Sequence, residues 1–326
     1  MFLDLRNPAD RRQDWTRHYA RSLERVVAAE SLGAKSIWLS EHHGFDDGYL
    51  PQPLTFAAAV AARTTRVRIG TAVLLAPLRH PRHIAEEAAQ VDLISGGRLE
   101  LGLGAGYGPA EFEAFGAELA SRYRQTDFAL AEVRRLLESG ELTPPPIQDP
   151  LPLWAGYLGP RGARRAGRLG VGLLTLDRES YRIYRDALVE GGHEPSRARL
   201  AGALGLFLAD DPERALHHVV PFLAHQQASY QRLRGDAPSA TAESLREHLA
   251  AHGSLPGLQV VDAEQAVALI REAVAGLPVE HVYFWQGIGG MDDSFSDRHL
   301  ELLLTRVAAA LRDPGPPPDR SVAADQ

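Results

Sequence analysis

Short apolar segments alternate along the chain with longer segments in which apolar residues recur every three or four positions. The short segments are typical of buried strands and the longer ones of amphipathic helices. The predicted strands are residues 2–5, 34–40, 67–75, 98–104, 152–156, 172–176, 200–209 and 280–286. The predicted helices are residues 15–32, 53–63, 81–94, 123–137, 162–168, 179–191, 212–233 and 297–311.

This alternation predicts an α/β fold with a mostly parallel sheet. Eight strand-and-helix units in 326 residues indicate a (β/α)8 barrel, or TIM barrel, which typically takes about 250 residues. The surplus predicts an insertion before the last strand at about 234–278, where Gly, Pro and Ser interrupt the pattern around two short helices. We expect one barrel domain over residues 1–312 and a disordered tail over 313–326, which has little apolar content.

Composition narrows the function to small-molecule chemistry. The net charge of -7 provides no basic surface for nucleic acid or an anionic membrane. The chain has no cysteine, which excludes disulfides, thiolate nucleophiles and cysteine-ligated metals. No apolar run approaches the roughly 18 residues of a membrane span, and the opening segment is charged too early for a secretory signal, so we expect a cytoplasmic protein.

Glycine, histidine and charged residues gather just after the predicted strands. These segments are "EHHGFDDGY" (41–49), "APLRHPRH" (76–83), "GAGYGPAEFEAFG" (104–116), "GYLGPRG" (156–162) and "GIGGMDDS" (287–294). Because active sites of such barrels lie at the C-terminal ends of the strands, we expect a functional site there.

The adjacent histidines His42 and His43 are the most unusual feature of these loops. Side chains alternate along a strand, so at most one of the two faces the barrel mouth. One alternative is that they only hydrogen-bond a neighbouring loop. Another is a metal site together with His80 and His83, but metal-dependent hydrolases with this barrel usually carry His-x-His, and we predict no metal.

Two glycine-rich segments suggest a planar, phosphate-bearing ligand. "LGLGAGYGP" (101–109) does not have the dinucleotide spacing, because the third glycine would fall at Tyr107 or Pro109. This segment either provides a flat surface for a planar ligand or simply forms a tight turn at the end of the strand, with no ligand. Segment 156–170 opens a helix around Pro160, whose free N–H groups suit a phosphate. Arg122 or Arg124 could add positive charge, or each could be a solvated surface residue.

Four blocks of the sequence resemble the bacterial luciferase-like family of flavin-dependent monooxygenases. They are "GAKSIWLSEHH", "RIGTAVLLAPLRHPRHIAEEAAQVDLISGGRLELGLGAGYGPAEFEAFG", "PLWAGYLGPRGARRAGRLG" and "GGMDDSFSDRHLELLLTRV". The resemblance implies a TIM barrel that binds reduced FMN or a deazaflavin coenzyme at the strand ends. It also implies a homodimer through the second and third helices.

The resemblance assigns roles residue by residue. His42 matches the catalytic histidine, which assists the reaction of reduced flavin with oxygen. A non-proline cis peptide under the flavin ring is implied at Thr71, Ala72 and Val73. The segment beside the flavin matches Gly104, Ala105, Gly106 and Tyr107. The phosphate-holding positions match Arg122, Gly156, Tyr157, Leu158 and Gly159. We expect His42, Ala72, Gly104 and Gly156 to border one cavity.

One departure limits what the resemblance implies. Luciferase has a cysteine where this chain has Gly104 and an arginine where it has Ala105, so the light-emitting oxidation of an aldehyde is not implied. We favour an FMN-dependent monooxygenase because "GYGPAEFEAFG" resembles the flavin-using branch of the family. We expect a separate reductase to deliver the reduced flavin, because the chain shows no nucleotide fingerprint. The alternatives are hydride transfer with a deazaflavin coenzyme and a flavin-binding protein without turnover. The loops at 44–53, 234–262 and 286–296 would shape the substrate site.

Overall fold

Parallel strands form a barrel surrounded by helices in the computed structural model, which describes residues 1–312. The strands are β1 (Ser36–Leu39), β2 (Arg68–Thr71), β3 (Leu74–Leu75), β4 (Leu99–Gly104), β5 (Leu153–Gly156), β6 (Gly172–Leu174), β7 (Leu200–Ala203), β8 (Leu206–Leu208), β9 (Gln259–Val261) and β10 (Val279–Tyr283). The barrel order is β1-β2-β4-β5-β6-β7-β10, and β3 continues the line of β2 beside β4. The predicted TIM barrel is confirmed.

The N-terminal segment closes the ring between β1 and β10. Phe2 forms parallel bridges to both Trp38 and Trp285. Its N–H donates to Phe284 O at 2.6 Å, and the Leu3 N–H donates to Trp38 O at 3.0 Å. The first predicted strand therefore occupies its expected place, although its pairing is limited to bridges.

Helices pack around the strands. They are α1 (Trp15–Ser31), α2 (Pro53–Arg63), α3 (Pro81–Ser95), α4 (Pro109–Ala114), α5 (Arg122–Glu138), α6 (Gly159–Leu169), α7 (Arg178–Glu190), α8 (Pro212–Leu233), α9 (Ala242–His252), α10 (Ala263–Val274), α11 (Asp293–Leu302) and α12 (Ala308–Arg312). A π-helical turn, Leu303–Val307, joins the last two, and short 3-10 turns lie at Ala9–Arg11, Ala76–Leu78, Leu119–Ser121 and Pro195–Arg197.

Local sequence explains where most helices begin. Prolines stand at the first position of α2, α3, α4 and α8, where their missing N–H is not needed. The side chains of Asp14, Asp177, Asp211, Thr241 and Asp262 cap α1, α7, α8, α9 and α10 by accepting backbone N–H groups. The predicted bounds of α2 and α8 agree with the structure, whereas helix α4 lies in a segment that we had read only as a loop.

The predicted strand at 200–209 is wrong as a single element. It splits into β7, which belongs to the barrel, and β8, which pairs outside the barrel with β9. Both pieces are mostly apolar and buried, so periodicity alone cannot show that the chain leaves the sheet between them. The segment from β8 to α10 therefore lies between the last two barrel strands, and helix α8 from it reaches the barrel mouth.

Aromatic side chains fill the barrel interior. Phe2, Trp38, Trp154 and Tyr283 form one buried cluster. Trp38 stacks on Tyr283 with ring centroids 4.8 Å apart. The larger core lies between the strands and the helices. The closed interior leaves the C-terminal ends of the strands as the place for a ligand.

The predicted domain limits and the tail at 313–326 stay predictions, and the tail lies outside the described residues. No helix within residues 1–312 is long and apolar enough to cross a membrane.

Candidate active site

His42 lies just beyond the end of β1, with 9 % of its surface exposed. Its ring stacks on Tyr49 with centroids 4.7 Å apart. The buried Nδ1 has no hydrogen-bond partner, because Glu111 Oε1 lies 3.5 Å away, too far for a well-formed bond. The other nitrogen, Nε2, bonds no described residue and is not enclosed. His42 thus has one nitrogen available for a ligand.

The surroundings of His42 favour a neutral imidazole. Burial lowers the pKa of His42, and the Glu111 carboxylate opposes this shift only in part. A neutral imidazole can accept a proton, and a positioned histidine is the most common general acid or base in enzymes.

His43 has different partners and a structural role. Its Nε2 lies 2.6 Å from Glu41 Oε1, and its backbone N–H donates to Glu111 Oε1 at 2.8 Å. Glu41 also pairs with Arg79 and accepts the Leu75 N–H at 2.8 Å. The two adjacent histidines therefore have different partners: the His43 ring pairs with Glu41, whereas the His42 ring has no hydrogen-bond partner among the described residues.

Sequence reasoning missed a buried charged group behind His42. The Arg6 guanidinium lies 3.7 Å from the ring centroid of Tyr49 and 4.7 Å from that of Tyr230. Its Nη1 donates to Asp4 Oδ2 at 2.8 Å. Burial alone would lower the pKa of Arg6, but Asp4, Tyr230 and Tyr49 together outweigh it and the pKa is raised. An arginine directly after the first predicted strand was the available signal, whereas nothing in the sequence placed Tyr230 beside it.

Helix α8 is attached to the loop after β1 by two side chains. His225 Nε2 lies 2.7 Å from Asp47 Oδ2, and the hydroxyls of Tyr49 and Tyr230 lie 3.2 Å apart. Ser40 Oγ donates to the Tyr49 hydroxyl at 2.6 Å. These contacts fix the ring on which His42 stacks.

Residues expected under the flavin ring, beside it and at its phosphate come together at the ends of β2, β4 and β5. The peptide bond between Ala72 and Val73 is cis, as the resemblance implied. A Cβ atom on Gly104 or Gly156 would lie 2.3 or 2.2 Å from the Val73 side chain, so only glycine fits at either position. Thr71 Oγ1 both donates to Gly102 O and accepts from Gly102 N at 2.8 Å. The three strand ends are thereby locked together.

The segment after β4 runs from this floor towards His42. Ala105 is buried, and Gly106 adopts a φ of +65° against Phe112. Tyr107 is 40 % exposed, and its ring centroid lies 6.4 Å from that of His42. Tyr107, one of the four residues predicted beside the flavin, is thus a ring neighbour of the candidate catalytic histidine.

The predicted phosphate positions also lie together. Tyr157 donates to Asp127 at 2.6 Å, and its ring lies 6.2 Å from Tyr123, on which Arg122 stacks at 4.5 Å. The buried Arg122 Nε has no partner. Helix α6 begins at Gly159 without a side-chain cap, and the preceding Leu158 is 89 % exposed. Unpaired donors on a guanidinium and at a helix N-terminus fit a phosphate.

A cavity of about 440 Å³ adjoins this site. The loop after β1, α4 and α8 enclose it, with Phe45, Glu111 and His225 in its wall. None of His42, Ala72, Gly104 and Gly156 lines it, so their common cavity stays a prediction. No group of three or more metal-ligating side chains suited to an ion occurs in the described part of the chain.

Residues 1–282 match the family model of the luciferase-like monooxygenases. The chain belongs to this family. It is 28% identical over 310 residues to the 4-hydroxyprotoasukamycin monooxygenase of Streptomyces nodosus subsp. asukaensis, covering 84% of this chain and 83% of the relative. It is 29% identical over 322 residues to the F420-dependent glucose-6-phosphate dehydrogenase of Amycolatopsis mediterranei (strain U-32), covering 88% of this chain and 94% of the relative.

Similarity in structure extends over the luciferase-like barrel as a whole. The oxygenating constituent of 3,6-diketocamphane monooxygenase from Pseudomonas putida, solved in complex with FMN, superposes with a TM-score of 0.68. That match has 20% sequence identity and covers 94% of this chain and 97% of the other. The predicted family is confirmed, and the protein is an oxidoreductase of the luciferase-like family. The relatives include both flavin-dependent monooxygenases and F420-dependent enzymes.

Proposed function

We propose that the protein is an FMN-dependent monooxygenase that uses reduced FMN and oxygen to oxygenate a small organic substrate. The observation that carries this proposal is His42, a buried imidazole with a free Nε2 at the mouth of a luciferase-like barrel. FMN supplies the electrons and the oxygen-activating ring when it is bound.

The residues of this chain would hold the cofactor from two sides. The glycines at 104 and 156 and the Val73 side chain form the floor for the ring. Arg122 and the free N–H groups at the start of α6 would bind the phosphate. His42 would hold or move a proton at Nε2, and the aromatic side chains around it would exclude water from the reacting atoms.

Similarity to a monooxygenase over most of both chains supports this proposal. A relative in structure is an oxygenating constituent, which favours a separate reductase as the source of reduced flavin. The predicted homodimer and the cytoplasmic location belong to the same proposal.

Hydride transfer with a deazaflavin coenzyme is the second candidate. It is favoured by the similarity to an F420-dependent dehydrogenase, whose length is matched almost completely. His42, the surface formed by Val73 and its neighbouring glycines, and the predicted phosphate positions would bind that coenzyme in the same way.

Titration of the full chain with FMN and with coenzyme F420, followed by fluorescence, separates the two candidates. We expect the chain to bind FMN more tightly. Arg122→Ala should weaken FMN binding about tenfold or more, the value of a lost charge-assisted hydrogen bond. The matched control is Arg124→Ala, which removes an exposed arginine two residues away and should leave binding unchanged.

Tighter binding of F420 would replace the proposal with the second candidate. Equal binding by the Arg122→Ala and Arg124→Ala variants would remove Arg122 from the phosphate site.

A further inference from the structure

The cavity beside the candidate active site has apolar side chains in its lining and lies next to His42, which does not itself line it. Phe45, Ala110 and Leu233 contribute apolar surface to a space of about 440 Å³, within the range of small-molecule sites. The Phe45 ring lies 5.2 Å from the His42 ring, centroid to centroid. Glu111 lines the same cavity and lies 3.5 Å from His42. A molecule in the cavity would therefore lie one side chain away from His42.

Glu111 is a buried carboxylate with one oxygen unused. Only 2 % of its surface is exposed. Oε1 accepts the His43 N–H at 2.8 Å, whereas Oε2 accepts no hydrogen bond from residues 1–312. No arginine or lysine of the described residues lies within ion-pair distance of it. A buried carboxylate without a cation is costly, so a ligand that supplies a positive donor would be stabilised here.

The other charges of the cavity act in the same direction. Asp47 already has partners in His225 and Arg6. Asp10 and Asp46 lie exposed at the rim, and Arg232 is the single arginine or lysine in the lining. Asp10 also pairs with Arg11. Among the described residues, Glu111 and Asp46 are therefore the lining carboxylates without an arginine or lysine partner, against the one arginine of the lining, and the potential in the cavity favours cations over anions.

We propose that this cavity is the substrate site and that it takes a small, mainly apolar amine, bound in its protonated form by Glu111 Oε2. Calling the ligand the substrate rests on the proposed monooxygenase function. The binding of an amine depends only on the cavity and can be measured without cofactor or turnover.

Three probes of one shape and different charge test the proposal. The full chain is titrated with benzylammonium, benzyl alcohol and benzoate at concentrations up to about millimolar and beyond, followed by saturation-transfer NMR. Benzylammonium should bind at least about tenfold more tightly than benzyl alcohol, as a charge-assisted bond predicts, and benzoate should bind most weakly.

Two variant pairs connect the binding to the cavity. Glu111→Gln should remove the preference for benzylammonium, whereas Glu113→Gln, on the exposed side of the same short helix, should keep it. Ala114→Trp introduces a large ring at an exposed position in the cavity wall and should abolish binding of all three probes. Ala131→Trp, at an exposed position on α5, is its control and should bind as the unchanged chain does.

Each remaining outcome overturns the proposal. These are equal or tighter binding of benzoate, no binding of benzylammonium, or an unchanged preference in Glu111→Gln. Failure of FMN to bind, with the amine preference intact, would contradict the proposed function and leave the amine site standing.

Discussion

Two buried histidines show how the same side chain serves chemistry in one region and structure in another. His42 lies at the barrel mouth, and His299 lies where α11 packs on β8. His299 Nδ1 accepts the Leu208 N–H at 2.8 Å, and its Nε2 donates to Trp285 O at 3.0 Å. His42 has an unpaired Nδ1 and an open Nε2.

Burial lowers the pKa of both imidazoles, to about 4 for His299. The pKa direction alone therefore does not distinguish the two. The hydrogen bonds do, because a neutral ring with both nitrogens paired can only hold its neighbours together. A buried ring with a free nitrogen is available to a ligand.

The largest change in stability should come from substituting Arg6, which packs on the Tyr49 ring beside His42. Arg6→Met leaves the Asp4 carboxylate buried without its cation, and we expect a loss of about 3–5 kcal/mol in the free energy of unfolding. Denaturant titration measures this change.

Arg298→Met is the matched control for Arg6→Met. It removes an exposed arginine that pairs with Asp210, and the expected loss is far smaller because surface ion pairs contribute little to stability. Equal losses in the two variants would show that the Arg6 cluster does not stabilise the mouth.

The next effect concerns His299 and pH. The unfolded chain protonates this residue near pH 6.5, but the folded chain does so only near pH 4. Between these values the unfolded state binds more protons, so stability falls as pH falls. The difference between the two pKa values corresponds to a loss of roughly 3 kcal/mol in the free energy of unfolding. Denaturant titrations of the wild-type chain from pH 7 to pH 4 measure it.

His299→Asn removes the titrating group while leaving a side chain that can still accept a hydrogen bond. We expect this variant to lose less stability between pH 6.5 and pH 4 than the wild-type chain, by about 3 kcal/mol. The same pH dependence in both chains would mean that His299 is not neutral in the folded protein.

Much of the fold can be predicted from the sequence because most helices and strands are marked by local residue patterns. Prolines and capping residues mark the starts of helices such as α2 and α8, and apolar runs mark the barrel strands. The sequence does not show that the chain leaves the barrel sheet between β7 and β8, because both strands are mostly buried and differ only in the strands they pair with.

The residues of the candidate site also fall into those that the sequence predicted and those that it did not. Family resemblance pointed to His42, the cis bond before Val73 and Arg122 because these residues lie in recognisable segments. Arg6 and Tyr230 were missed because their relation to His42 depends on packing between the first strand and α8, which are more than 200 residues apart. Glu111 was missed because the segment that carries it was read as a loop.

The central claim is that His42 acts on the reaction through its free nitrogen and does not serve the fold. The direct test loads the protein with reduced FMN without oxygen, adds oxygen, and follows the return of oxidised-flavin absorbance. His42→Ala should bind FMN with unchanged affinity and alter the rate of this reaction by about 10²-fold or more. An unchanged rate in His42→Ala, with FMN bound, would contradict the claim.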